Sequence, residues 1–406
     1  MATLEGIQIK NFRGLKDVTL GRVLGQNQEE LTRLIAVIGA NGTGKSSLLD
    51  ALSFLGDCLR EGVEAACDKP QRQGFEKLRS KGSTEAIQFD VRFRSDEKTP
   101  PVNYKMHING DKNGRPFVEL EELVHKPVEN IGRRGQPRKF LSLKKGKGDA
   151  WVDEPSDKKS IKKISLSSDQ ELGISTLKSF VEHKEIGAFH QFLSGWYLSY
   201  FVPEAARKQP PAGAQPHLDR TGENLANYLQ FIEKKQPKEF KQLLKRLSQK
   251  IPGLVRIESD KTIDHRLVLK FFLSGFGDEE FFQQSMSDST LKMLAYLLLM
   301  EDPNPASLVG IEEPENGLHH QLLSVLASEF KEYASSGIGP QVLLTTHSPS
   351  LVDALSPDEV WILEKNKNGF TDITRAADIE GVPELFEQGI LMGSLWYSNH
   401  FGIGSP

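Results

Sequence analysis

The run Gly39-Ala40-Asn41-Gly42-Thr43-Gly44-Lys45-Ser46 has the residue types and spacing of a phosphate-binding loop: a glycine, four variable positions, then Gly-Lys and a hydroxyl residue. Glycines let the backbone come close to phosphate oxygens, and a helix that begins at the loop's end turns its free N–H groups toward negative charge. Gly39, Asn41, Gly42, Thr43, Gly44, Lys45, Ser46 and Ser47 are therefore the candidate nucleotide contacts. Lys45 would reach the β- and γ-phosphates and Ser46 a Mg²⁺ ion.

Three further segments carry weaker signals. Leu308-Val309-Gly310-Ile311-Glu312-Glu313-Pro314 is an apolar run closed by two carboxylates. Such a pair can divide the labour, Glu312 toward a metal and Glu313 toward an attacking water, or can be two solvated loop acids. Gln341-Val342-Leu343-Leu344-Thr345-Thr346-His347-Ser348 delivers a histidine at the end of another apolar run, where a lone histidine is more often structural than functional. Ser287-Asp288-Ser289-Thr290 opens the helical run Leu291 to Met300 and by itself reads as an N-cap.

These side chains need regular elements to hold them. Leu34-Ile35-Ala36-Val37-Ile38 predicts a buried strand feeding the loop, and Ser47 to Leu52 the helix that leaves it. Segment 86–165 is strand-rich: Ile87-Gln88-Phe89-Asp90-Val91-Arg92-Phe93 alternates apolar and polar residues, and Asn109-Gly110 and Asn113-Gly114 signal turns. A helical stretch is expected from about Ser175 through Phe192, a strand from Tyr197 to Val202, and a proline-rich loop from Lys208 to Pro216. Further helices are expected near Glu223 to Glu233 and Lys238 to Leu247. Apolar heptads never persist past a few turns, so the chain cannot build a long coiled-coil arm, and no internal repeat is visible.

The order of the four motif segments resembles an ABC-type ATPase head. In that family they are the Walker A loop, the signature motif, the Walker B strand with its catalytic glutamate, and the switch histidine. Glu315-Asn316-Gly317-Leu318 falls where the family places its dimer-contacting D-loop. The opening Ile7-Gln8-Ile9-Lys10-Asn11-Phe12-Arg13-Gly14-Leu15, with Asn41 in the loop, is similar to the RecF/SMC/OLD-like branch. A group of stand-alone bacterial predicted ATPases with an AAA-type label resembles the chain more closely still. The shared segments are Leu218-Asp219-Arg220-Thr221-Gly222-Glu223-Asn224-Leu225-Ala226, the Ser-Asp-x-Thr signature, Glu312 to His319, Thr346-His347-Ser348-Pro349 and Gly393-Ser394-Leu395-Trp396-Tyr397. The resemblance implies an α/β fold, an ABC-type P-loop NTPase head with an antiparallel β subdomain and a helical insertion. It divides the chain into a lobe over 1–175 with the Walker A loop and the antiparallel part, a helical or mixed insertion over 176–284, and a lobe over 285–406 with the remaining motifs.

It also implies a mechanism in which two copies sandwich two ATP molecules head to tail. Lys45 and the loop amides hold phosphates, Ser46 and Glu312 hold Mg²⁺, Glu313 activates water and His347 contacts the γ-phosphate. Ser287 and Thr290 complete the site of the partner copy. Asn41 and Arg13 are further contacts, and Gln71 and Gln73 are candidates for the metal-sensing glutamine. Two positions depart from the pattern: Ser289 stands where the group has glycine, and Glu312 replaces the commoner aspartate.

Composition sets limits on the partners. The chain has 406 residues, 38% hydrophobic and 26% charged, as in soluble globular proteins, and no stretch reaches the length of a membrane span. The N-terminus lacks a secretory signal, and Cys58 and Cys67 are too few for a disulfide framework, so a reducing cytoplasm is expected. A net charge of −4 argues against a protein that coats nucleic acid with its whole surface. The basic segment 126–147, with Lys126, Arg133, Arg134, Arg138, Lys139, Lys144, Lys145 and Lys147, and the cluster Lys158, Lys159, Lys162 and Lys163 can contact DNA or remain solvated loops. Fewer than sixty residues follow His347, too few for an appended nuclease module. The expectation is a homodimer or higher oligomer, an ATP-driven switch that controls DNA processing or a separately encoded nuclease in anti-phage defence or DNA repair. A non-hydrolysing ATP-binding scaffold and the nucleotide-binding subunit of a membrane transporter are the competing readings.

Overall fold

The computed structural model describes all residues except 1, 27, 97, 126–137, 152–160, 181–182, 214, 303, 336–338 and 404–406, together with the side chains at 239 and 320. In chain order the strands are β1 (Thr3–Phe12), β2 (Leu15–Gly21), β3 (Leu34–Ile38), β4 (Ile87–Arg94), β5 (Val102–Gly110), β6 (Pro116–His125), β7 (Arg138–Lys144), β8 (Lys147–Trp151) and β9 (Ile161–Ser165). They continue with β10 (Trp196–Ser199), β11 (Leu254–Lys261), β12 (Leu267–Leu273), β13 (Phe281–Phe282), β14 (Leu308–Glu312), β15 (Gln341–Thr346), β16 (Val360–Lys365) and β17 (Thr371–Arg375).

One sheet is antiparallel, in the order β2-β1-β4-β5-β6-β7-β8-β9. Its strands show the alternation expected of a sheet with one covered face: Ile87, Phe89, Val91 and Phe93 are at most 1% exposed, while Gln88, Asp90 and Arg92 are half-buried. The second sheet runs β10-β14-β15-β3-β16-β17, with only β17 antiparallel to its neighbour. Here β3, β14 and β15 are near-continuous apolar runs because both faces are covered. Ile35, Val37, Leu308 and Leu343 face the helix Lys45–Glu61 and the antiparallel sheet beyond it. Leu34, Ala36, Ile38, Val309, Ile311 and Leu344 face a second core, formed with the helices Leu225–Lys235, Asp288–Met300 and His320–Ser335.

The helix Lys45–Glu61 is thus wedged between the two sheets. Phe54 packs its ring 5.6 Å from Phe12 and 5.9 Å from Phe89. Each such buried ring contributes about 1.5–3 kcal/mol relative to exposure, so the position of the phosphate loop is set by the packing of its helix. The third sheet, β11-β12-β13, lies within 176–284 beside the helices Leu225–Lys235 and Pro237–Lys250.

Two expected elements differ in extent. The helix expected from Ser175 through Phe192 is two helices, Gly173–Leu177 and Lys184–Ser194, with the chain turning after Leu177 through Phe180 N–H to Leu177 O. The strand expected from Tyr197 to Val202 ends at Ser199, because Tyr200 and Val202 donate their N–H groups to Arg220 O and Thr221 O instead of to a strand partner. Cys58 and Cys67 are buried free thiols, and burial pushes the Cys67 thiol up to about 12. Among the described residues no helix is long and apolar enough to cross a membrane.

Candidate nucleotide site

The motif segments meet because β3, β14 and β15 are parallel neighbours with level ends: Glu312 pairs with Thr345, and Thr346 with Ile38. Everything that follows these strands emerges at one edge, the place where open α/β sheets bind ligands.

Gly39 leaves β3 so close to its neighbour that an added Cβ would lie 2.3 Å from Leu363 O, which explains a glycine there without reference to any ligand. Thr43 is buried; its Oγ1 donates to Ala40 O at 2.8 Å, and its carbonyl accepts from Thr371 Oγ1 at 2.6 Å. Asn41, Gly42 and Ser46 are exposed, and Gly44 has a positive φ of 115° where the helix begins. The first N–H groups of that helix, at Lys45, Ser46 and Ser47, have no intrahelical acceptor and point out of its end. Lys45 is 5% exposed and donates to Gly39 O at 2.7 Å and Ala40 O at 3.2 Å. Burial lowers its pKa, and the carboxylates of Glu313, Glu315 and Glu312 oppose that shift. The carboxylates at the end of β14 and just after it thus act electrostatically on the Lys45 ammonium.

Glu313 adopts φ 43°, in the left-handed region that costs a non-glycine residue roughly 1–2 kcal/mol. Its N–H is held by Thr345 O at 2.9 Å and its Oε2 by Asn316 Nδ2 at 2.8 Å. His347 Nδ1 faces Glu313 Oε1 at 3.3 Å without hydrogen-bond alignment. Glu315, 9% exposed, accepts from Thr346 Oγ1 at 2.8 Å and from His347 N at 2.7 Å. Glu315 thus ties the loop after β14 by hydrogen bonds to Thr346 and His347, and His347 lies beside Glu313.

Ser287, Ser289 and Thr290 bond locally at the start of the helix Asp288–Met300. Ser287 caps the helix Asp288–Met300 through Thr290 N at 3.2 Å and meets Thr290 Oγ1 at 2.9 Å. Among the described residues no hydrogen bond or ion pair joins these three to residues 39–47. Instead, Lys292 from the same helix, 5% exposed, donates to Asn316 O at 2.5 Å. Burial lowers the Lys292 pKa, with Glu315, Asp288 and Glu313 opposing. A lysine inside the otherwise apolar run Leu291 to Met300 is a signal for such a contact, whereas Thr371, 328 residues from its partner Thr43, leaves none.

Arg13 donates to Gln71 O at 2.8 Å and pairs with Asp50 at 2.9 Å. With Ser46, Glu312, Gln71, Ser53 and Arg220 it lines a cavity of about 550 Å³ beside the loop; Gln73 does not line it. Arg220, to which the sequence by itself assigns no role, enters this cavity from the loop 218–224 and donates to Ser53 Oγ at 2.7 Å. The residues fit Mg²⁺: a hydroxyl at Ser46 and a carboxylate at Glu312 share one cavity, and this ion is held by few protein oxygens together with substrate phosphates. No cluster of three or more His, Cys, Asp or Glu among the described residues forms a metal site by itself.

Residues 34–353, from β3 to just past His347, match the family described as "AAA domain, putative AbiEii toxin, Type IV TA system". The chain belongs to that AAA family. Its fold is that of an SMC-type ATPase head. The crystal structure of an Smc head bound to the C-winged helix domain of ScpA is similar at TM-score 0.55 and 13% identity, over 91% of this chain and 97% of that one. An Smc head with an extended coiled coil, bound to the C-terminal domain of ScpA from Pyrococcus furiosus, is similar at TM-score 0.54 and 14% identity, over 96% and 99%. A search of curated proteins finds no match. The AAA family implies nucleotide binding.

Proposed function

We propose that this AAA-family chain binds ATP with Mg²⁺ at the loop Gly39–Ser46 and hydrolyses it as one half of a head-to-tail pair. The observation that carries this reading is the convergence of Lys45, Glu312, Glu313 and His347 at the level ends of β3, β14 and β15. Lys45, the helix N–H groups and Asn41 hold the phosphates. Ser46 and Glu312 hold the metal, which neutralises phosphate charge when bound. Glu313, fixed by Asn316, takes the proton of the attacking water, and His347 orients that water or the γ-phosphate. Ser287 and Thr290 act on the nucleotide of the partner copy, which fits their separation from the loop of their own chain.

The pair acts as a switch on DNA processing or on a separately encoded nuclease, in anti-phage defence or DNA repair. The toxin–antitoxin wording of the family description supports a defence setting. Exposed lysines at the β7–β8 turn support a DNA contact, although residues 126–137 of the basic segment lie outside the described residues. Ser289, with a side chain where glycine is usual, supports a second reading, an ATP-binding scaffold without turnover.

Two variants test the proposal together. Lys45→Ala should lose ATP binding in a direct titration, and Glu313→Gln should keep binding but slow turnover on the order of a hundredfold, roughly 3 kcal/mol of barrier. Wild-type affinity in the first variant, or wild-type turnover in the second, would refute the assignment.

A further inference from the structure

The loop 218–224 is held more tightly than a connection needs to be. Asp219 Oδ1 accepts from Thr221 N at 2.9 Å, Thr221 Oγ1 at 3.0 Å, Gly222 N at 2.6 Å and Glu223 N at 3.0 Å, and Oδ2 accepts from Asn224 N at 3.1 Å. Asn224 Oδ1 in turn accepts from Asp219 N at 2.8 Å. Gly222, at φ 82°, lies where a Cβ would come within 2.2 Å of the Phe201 ring. The chain leaving β10 is tied to the same loop through Tyr200 N to Arg220 O and Val202 N to Thr221 O, both at 2.9 Å. From this clamped loop Arg220 and Thr221 line the cavity beside Ser46 and Glu312, and Arg220 brings the charge.

Its charge is poorly matched there. The nearest carboxylate, Asp57, is 4.0 Å away and already receives Arg60 at 2.5 Å, Lys69 at 2.8 Å and Arg72 at 2.8 Å. The two carboxylates on the cavity wall are committed as well: Asp50 lies between Arg13 and Arg72, each at 2.9 Å, and Glu312 is assigned to the metal. Arg220 is left with the neutral Ser53 hydroxyl. Ser53 is seven residues beyond Ser46 on one helix, roughly 10 Å along its axis at 1.5 Å per residue. Bound to Ser53, the guanidinium sits well down the helix from the loop, yet it shares a cavity with Ser46 and Glu312.

We propose that this cavity is a second phosphate-binding subsite, with Arg220 as its principal cation, that receives inorganic phosphate leaving the metal site. The source of the phosphate and the commitment of Glu312 to the metal rest on the ATPase reading; the cavity and the lack of a close carboxylate partner for Arg220 do not. Hydrolysis transfers the γ-phosphoryl group to water and yields ADP and a free tetrahedral oxyanion. A guanidinium with donors still available, Arg13 at the same wall, and the hydroxyl of Ser53 and amide of Gln71 form a donor set for such an anion.

The test uses the full chain with Mg²⁺ and ADP, titrated calorimetrically with inorganic phosphate. Wild type should bind phosphate, Arg220→Gln should bind it at least about tenfold more weakly with ADP affinity unchanged, and Arg220→Lys should fall between them. In rapid-mixing experiments with ATP, phosphate formed but not yet released should accumulate in wild type and diminish in Arg220→Gln. Absence of phosphate binding by wild type at millimolar concentration, equal binding by Arg220→Gln, or joint loss of ADP and phosphate in that variant would each overturn the proposal. Wild type that binds phosphate but never hydrolyses ATP would remove the ATPase reading and leave the anion site standing.

Discussion

The buried carboxylate of Glu315 receives the backbone N–H of His347 at 2.7 Å, so the loop after β14 and the loop after β15 cannot move independently. Its Oε1 also takes the Thr346 hydroxyl. Glu315→Ala leaves a buried N–H and a buried hydroxyl without an acceptor, each costing about 1–3 kcal/mol, and releases His347 from its place beside Glu313. Urea unfolding should show the loss of stability and an ATPase assay a fall in turnover. Glu315→Gln, which keeps an acceptor oxygen, should lose much less of both.

Ser289→Gly restores the bare backbone that the resemblance leads one to expect at the partner-facing signature. If the serine side chain holds two heads apart, the variant should show more ATP-dependent dimer by light scattering and faster turnover. Unchanged values in both would take away the motive for a scaffold without turnover.

Glu121 offers a pH test away from the site. It is fully enclosed, accepting from Gly173 N at 2.6 Å, Ile174 N at 3.1 Å and Tyr104 OH at 3.1 Å, yet burial outweighs these bonds and pushes its carboxyl up to about 7. A carboxyl whose folded pKa lies above its unfolded one favours the folded state fully at pH below the unfolded value. That contribution is lost as pH rises toward 7, a change of up to roughly 3 kcal/mol. Unfolding measured between pH 4.5 and 7.5 should show this decline in wild type and a flatter profile in Glu121→Gln.

The β7–β8 turn carries exposed Lys144, Lys145 and Lys147, with Lys145 at φ 49° and its ammonium 4.9 Å from the Phe117 ring centre. Lys144→Gln and Lys147→Gln combined with Lys145→Asn keep a residue that tolerates left-handed backbone at the turn. If this hairpin binds DNA, the triple variant should bind more weakly across sequences, and its salt dependence should flatten by up to about one unit of slope for each phosphate that is no longer neutralised. An unaltered slope would return the turn to plain solvent exposure. ATP hydrolysis in the absence of DNA should stay at the wild-type rate.

The sequence alone determined those features whose physical cause is local. The spacing of Gly39, Gly44, Lys45 and Ser46 fixes a strand-to-helix turn because close backbone approach and helix N–H groups are properties of adjacent residues, and the alternation in 87–93 announces a one-sided strand for the same reason. The apolar runs ending at Glu312 and Thr346 announce buried strands. Tertiary structure decided what depends on which strands become neighbours. Pairing β3 with β15, and β15 with β14, set Lys45 among three carboxylates and locked His347 to Glu315. The strand expected through Val202 stopped at Ser199 because a loop twenty residues later captured its N–H groups, and the same capture carried Arg220 to Ser53. Hydrogen bonds between residues far apart in the chain, such as Thr371 to Thr43, leave no periodicity in either segment. They exist only once hydrophobic burial has brought the two sheets together around the helix Lys45–Glu61.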